Sequence, residues 1–244
     1  MPGLVRQLLI ACLVATAWLS PAIGHAWIET RVESSQTALD LTPDGAATVQ
    51  YQLMLDVRGA PLKGFALDGV DIDAEPLPDA TITRMKAGIP TSLPLPVQIV
   101  AAAGRLEITV PLKKGFSGRT FLLKLSYRTR LLDRGLIRHL PGEQRSELAW
   151  VGPRFADGVD SVTLLVRTAA AGQAPEAQGT ADSTANFGIV MSTLRRSQAR
   201  DELELVRAHV ARDEAITWRV LLDRGLFPGA VQVSPMGAAS PPPS

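Results

Sequence analysis

Ala47-Thr48-Val49-Gln50-Tyr51-Gln52-Leu53-Met54-Leu55-Asp56-Val57 carries the clearest structural signal in the chain. Every second residue from Ala47 to Val57 is apolar, and the residues between them are mostly polar. Successive side chains of a strand point to opposite faces, so this pattern predicts a half-buried antiparallel strand. Pro43-Asp44-Gly45 stands just before it, and Ile28–Leu41 before that is extended in character. Strand, Pro-Asp-Gly turn and strand form a hairpin signal, because glycine supplies the positive φ that such turns need.

The same period of two recurs along the chain. Leu106–Leu112 and Phe121–Tyr127 alternate in the first half, and Val162–Val166 and Ile216–Leu222 in the second. Shorter or less regular strands are expected at Leu62–Leu67, Ala80–Met85, Glu147–Val151, Phe187–Arg195 and Asp201–Val210. Pro94–Val100 is expected at a sheet edge, where proline's missing N–H is tolerated. Helical periodicity is not convincing in the first half, and the second half repeats its style, so the fold class is all-β. Residues 169–186, rich in Ala, Gly, Gln, Thr and Ser, are expected to be a long mobile loop. The proline-rich end of the chain, 231–244, is expected to be disordered.

Leu131-Leu132-Asp133-Arg134-Gly135-Leu136 recurs 90 residues later as Leu221-Leu222-Asp223-Arg224-Gly225-Leu226. Each copy follows an alternating strand, and the spacing is about the length of one sandwich domain. The echo predicts two consecutive antiparallel β-sandwich units, over residues 27–135 and 136–230. One larger β-sandwich is the alternative.

The N-terminus carries a compartment signal. Arg6, the apolar run Leu8–Leu19 and the small residues of Ala22–Ala26 follow the order of a secretory signal peptide. The run is too short to span a bilayer comfortably, so cleavage after Ala26 is expected, with Gly24 as a second option. Retention as an anchor and lipidation at Cys12 are the rival readings. Cys12 is the only cysteine, so the processed chain has no thiol chemistry or disulfide. Net charge is +1 and no basic block stands out, which argues against nucleic acid.

Three segments invite chemistry. Asp68, Asp71, Asp73 and Glu75 place four carboxylates within eight residues, a candidate calcium loop, although the order of Asp, Gly and Glu is not that of an EF-hand. A solvated turn between strands is the preferred reading of them; Asp157 and Asp160 repeat part of the theme. His25, His139 and His209 would form a copper site only if cleavage left His25 as the first residue. Trp150, Arg154 and Phe155 are interface candidates, or else pack a junction. The Gly-x-Ser-x-Gly, Ser-x-x-Lys and His-Glu-x-x-His patterns and a phosphate-binding glycine loop are absent. No cofactor is expected.

With its hairpin opening and its Trp150-Val151-Gly152-Pro153-Arg154-Phe155 segment, the chain resembles uncharacterised bacterial exported β-sandwich proteins. It is also loosely similar to the N-terminal ectodomains of predicted bacterial membrane proteins that begin with such a hairpin. The resemblance runs over Ala26–Phe227 and implies a β-sandwich outside the cytoplasm, with no particular chemistry. No transmembrane helix is expected after signal cleavage. The resulting expectation is an exported, non-enzymatic module, periplasmic or secreted, that binds or scaffolds an unknown protein or envelope component. An enzyme or metal-binding protein using the acidic loop or the histidines is the rival.

Overall fold

The computed structural model describes residues 28–178 and 189–232. In chain order the strands are β1 (Glu29–Leu41), β2 (Ala46–Arg58), β3 (Gly64–Asp68), β4 (Glu75–Pro76), β5 (Thr81–Lys86), β6 (Ile89–Pro90), β7 (Leu95–Pro96), β8 (Gln98–Ala102) and β9 (Arg105–Thr109). They continue as β10 (Thr120–Arg130), β11 (Ile137–His139), β12 (Arg145–Val151), β13 (Ser161–Ala169), β14 (Glu176–Ala177), β15 (Ile189–Arg196), β16 (Arg200–Arg207), β17 (Thr217–Asp223) and β18 (Val231–Gln232). The fold is all-β: apart from a 3₁₀ turn at Arg224–Leu226, the regular elements described are strands. Among the described residues no helix is long and apolar enough to cross a membrane.

The hairpin β1–β2 forms as the sequence predicts. Gly45 closes its turn at φ +76°, and a Cβ there would lie 2.2 Å from the Leu132 side chain. Glycine is therefore required both by conformation and by space. Ala47, Val49, Tyr51, Leu53, Leu55 and Val57 are buried, while Gln50 and Gln52 face solvent. β10 pairs antiparallel along β2 and buries Phe121, Leu123, Leu125 and Tyr127 on the same face.

The other edge of β1 is taken by β13, which runs parallel to it from Ser34↔Ser161 to Asp40↔Arg167. β16 and β15 extend the sheet beyond β13. The ten-stranded sheet therefore has the order β15-β16-β13-β1-β2-β10-β5-β6, with β4 also on β10 and β7 also on β5. It takes strands from both halves of the chain. The proposed division at 135/136 does not follow the hydrogen bonding, and the larger assembly, the alternative reading, is the one adopted. The physical reason is that β1 is thirteen residues long and its outer edge needs backbone partners, which the second half supplies.

Two smaller sheets complete the fold, β3-β9-β8 from the first half and β14-β17-β12-β11-β18 from the second. Leu67, Leu106 and Ile108 from one, and Trp150, Trp218 and Val220 from the other, join a single hydrophobic cluster with the inner face of the large sheet. The two copies of the Leu-Leu-Asp-Arg-Gly-Leu echo are not equivalent. Leu131 is buried in the first and Leu222 in the second, so they enter the core in opposite phase. Gly135 sits at φ +63°, whereas Gly225 is outside the left-handed region.

The expected loop 169–186 is anchored over its described part. Glu176–Ala177 pairs with β17, Gln173 donates its N–H to Asp223, and Arg145 donates to the Ala174 carbonyl. At the far end, Val231–Gln232 runs parallel to β11 rather than leaving the fold at 230. The signal segment, the rest of the loop and the end of the proline-rich tail lie outside the described residues.

Candidate functional site

The candidate acidic loop turns between β3 and β4. Val70 and Ala74 within it are buried, and they draw the loop onto the core. Asp71, between them, is carried inward with only 6% of its surface exposed. A buried carboxylate is costly unless donors meet it. Three do, each from a different element: the Tyr127 hydroxyl of β10 at 2.9 Å, Trp150 Nε1 of β12 at 3.5 Å, and the Arg134 guanidinium from the turn after β10. Asp71 thus links the large sheet to the five-stranded one. The Tyr127 ring lies 6.0 Å from that of Tyr51, whose hydroxyl is buried without a well-formed hydrogen bond. Burial pushes both phenols far above their ordinary range, so both are neutral.

Beside this node is an open cleft of about 570 Å³, lined by Thr42, Asp44, Thr48, Asp73, Arg128 and Arg130, among others. Asp73 accepts from the Thr129 hydroxyl at 2.7 Å and the Arg130 N–H at 2.9 Å. Burial opposes its charge, yet these two donors and Arg134 hold its carboxyl below the usual range. Asp44 is taken up by its own turn, accepting from Thr42 and the Ala46 N–H. The cleft therefore mixes both signs of charge, and two of its three carboxylates already serve the backbone around them.

The other predicted site residues are dispersed. Asp68 is exposed, pairs with Arg105 at 3.3 Å, and accepts the Arg154 N–H on its backbone carbonyl. Glu75 is exposed at the cleft rim. Among the described residues no group of three or more His, Cys, Asp and Glu side chains is placed to hold a metal ion. Asp157 and Asp160 pair with Arg212 and Arg31. His139 is buried against Ser146, and His209 is exposed just after β16; His25 lies outside the described residues.

The interface candidates divide. Trp150 and Phe155 are 1% and 4% exposed, and Trp150 stands opposite Trp218 across β12 and β17. Their burial favours the other reading, packing within the fold, and period two puts Trp150 on the core face. Arg154 alone of the three is exposed.

Arg134 was legible only as part of a repeated motif, with no sign of its charge partner. A second missed feature is a charge row across the outer face of the large sheet. Asp40, Arg167 and Glu202 are successive cross-strand partners, with Arg167 3.3 Å from Asp40 and 3.4 Å from Glu202. Glu202 and Glu204 share this solvent-facing side of β16 with Arg195 near Glu204.

No protein-family model matches the chain, and no curated protein matches it. Among solved structures it is similar to the M1 zinc metallopeptidase from Deinococcus radiodurans, at 17% identity and a TM-score of 0.46 over 78% of this chain. A mutant of that enzyme gives 15% and 0.48 over 79%. The mutant bound to a Tyr-Ser-Ala substrate gives 18% and 0.47 over 78%. The chain spans 42% of the length of each.

Proposed function

We propose that this is an exported, non-enzymatic β-sandwich module that binds or scaffolds a component of the bacterial cell envelope. The observation that supports it most is the use made of the acidic loop. Its buried member, Asp71, is saturated by Tyr127, Trp150 and Arg134, and Asp73 is held by Thr129 and Arg130. These two carboxylates hold sheets and turns together instead. The signal-like N-terminus supports the location.

One preparation tests both parts. Protein recovered from the exported fraction has the intact mass of a chain beginning at Trp27. Titrated with calcium, it binds no tighter than about 10⁻⁴ M, the weak end of protein calcium sites. An acylated Cys12 or a retained apolar run replaces the free processed chain with a membrane-anchored one, and absence of the protein from the exported fraction overturns the location. Micromolar calcium affinity abolished by Asp71→Asn and Asp73→Asn overturns the structural role of the loop.

A further inference from the structure

Near neutrality of the whole chain conceals a strong local imbalance. Residues 80–132 hold nine Lys and Arg but a single acid, Glu107. All five lysines of the protein fall between Lys63 and Lys124. Within the same region, Ala87–Gly104 is an 18-residue run without a charge, and none of its residues is buried. Leu93 is 88% exposed, Ile89 67% and Val100 63%. Exposed apolar side chains gathered on one segment mark an interaction surface.

The fold brings the apolar and cationic parts together. Lys86 stands opposite Ile89 across β5 and β6. Thr91 donates its N–H to the Arg84 carbonyl, and Arg84 donates its own to the Ser92 hydroxyl, which ties the loop before Leu93 to β5. The Arg84 guanidinium lies 5.1 Å from the centre of the Phe116 ring. Phe116 follows closely on Leu112, Lys113 and Lys114, all exposed, and its N–H bonds to Leu62 beside exposed Lys63.

We propose that this rim docks on an anionic lipid bilayer, with Ile89 and Leu93 entering the interface and Lys63, Lys86, Lys113 and Lys114 meeting lipid phosphates. Charge complementarity selects the occupant. Four exposed lysines on segments tied to the exposed apolar loop match anionic headgroups above hydrocarbon. Strand addition is disfavoured here, because Pro90 and Pro96 interrupt the two-residue strands β6 and β7. A second copy would bring lysines against lysines.

The inference rests on the envelope location proposed above, but its test does not. The chain from Trp27 onward is mixed with phosphatidylcholine vesicles containing about one third phosphatidylglycerol, and binding is read by co-sedimentation. Binding is expected to these vesicles and not to pure phosphatidylcholine. Ile89→Ser with Leu93→Ser should lower the partition coefficient at least about tenfold, and Lys113→Ala with Lys114→Ala by a similar factor. Leu194→Ser, an exposed apolar change on β15, leaves binding unchanged and controls for general loss of surface apolarity. Unaltered urea midpoints confirm that the variants fold. Absence of vesicle binding overturns the proposal. So does binding that Ile89→Ser with Leu93→Ser leaves intact, which would indicate charge attraction alone. A dimer abolished by Leu93→Ser, without vesicle binding, assigns the rim to self-association instead. Failure of export would remove the location and leave these outcomes unaffected.

Discussion

Asp71 shows how a residue chosen for one chemistry serves another. In the sequence it is one of four acids within eight residues; in the fold its neighbours Val70 and Ala74 bury it, and Tyr127, Trp150 and Arg134 meet it. Removing a carboxylate from such a node strands its donors, Tyr127 most of all. Asp71→Ala is expected to cost about 2–4 kcal/mol in urea unfolding, below the full buried-pair value because Arg134 keeps some contact with water. Tyr127→Phe, which deletes one hydrogen bond and keeps the ring, should cost about 1–2 kcal/mol. Equal stability of Asp71→Ala and wild type would show that the node is idle.

At the level of elements, the strongly alternating strands were legible and the weak ones were not. β2, β10, β13 and β17 carry apolar residues at every second position and bury them. β1 is harder to read, since Ser35 and Thr37 occupy its core face and a bulge between Val32 and Ser34 changes the phase. β11 has three residues and carries a buried histidine, which period-two reading passes over. That histidine gives the five-stranded sheet a pH dependence. Burial, helped by the Arg224 charge, lowers the His139 pKa from its ordinary value. Above that ordinary value both states are neutral there and stability is full. As pH falls through it, the unfolded chain gains a proton that the folded one refuses, and stability drops until the folded value is reached. The urea midpoint should therefore fall between about pH 7 and pH 5, and His139→Gln should flatten that slope. Asp56, Asp73 and Glu214 have lowered values, so their contributions are lost only at more acidic pH, as pH falls through those folded values. A slope unchanged in His139→Gln would assign the effect elsewhere.

For the whole molecule, one core is the decisive property. Trp218 belongs to the second half, yet it shares a hydrophobic cluster with Tyr51, Phe121 and Tyr127 of the first. Trp218→Ala is expected to cost about 3–5 kcal/mol, the scale for truncating a buried aromatic. Hydrogen exchange should quicken in β2 and β10 as well as in β12 and β17; quickening confined to the five-stranded sheet would restore two independent units. The all-β class, the Gly45 hairpin and most strand positions could be read from the order of residues alone, because these depend on side-chain alternation and local backbone preference. Partners were beyond it. The parallel pairing of β1 with β13 joins residues 127 apart and leaves no periodic trace in either strand. Asp71 and Arg134 are likewise 63 residues apart, and the lysines of the proposed rim come from one strand end and two loops separate along the chain. Which strand edges, carboxylates and charges meet is fixed in the folded chain, because burial and hydrogen bonding are settled between segments distant in sequence.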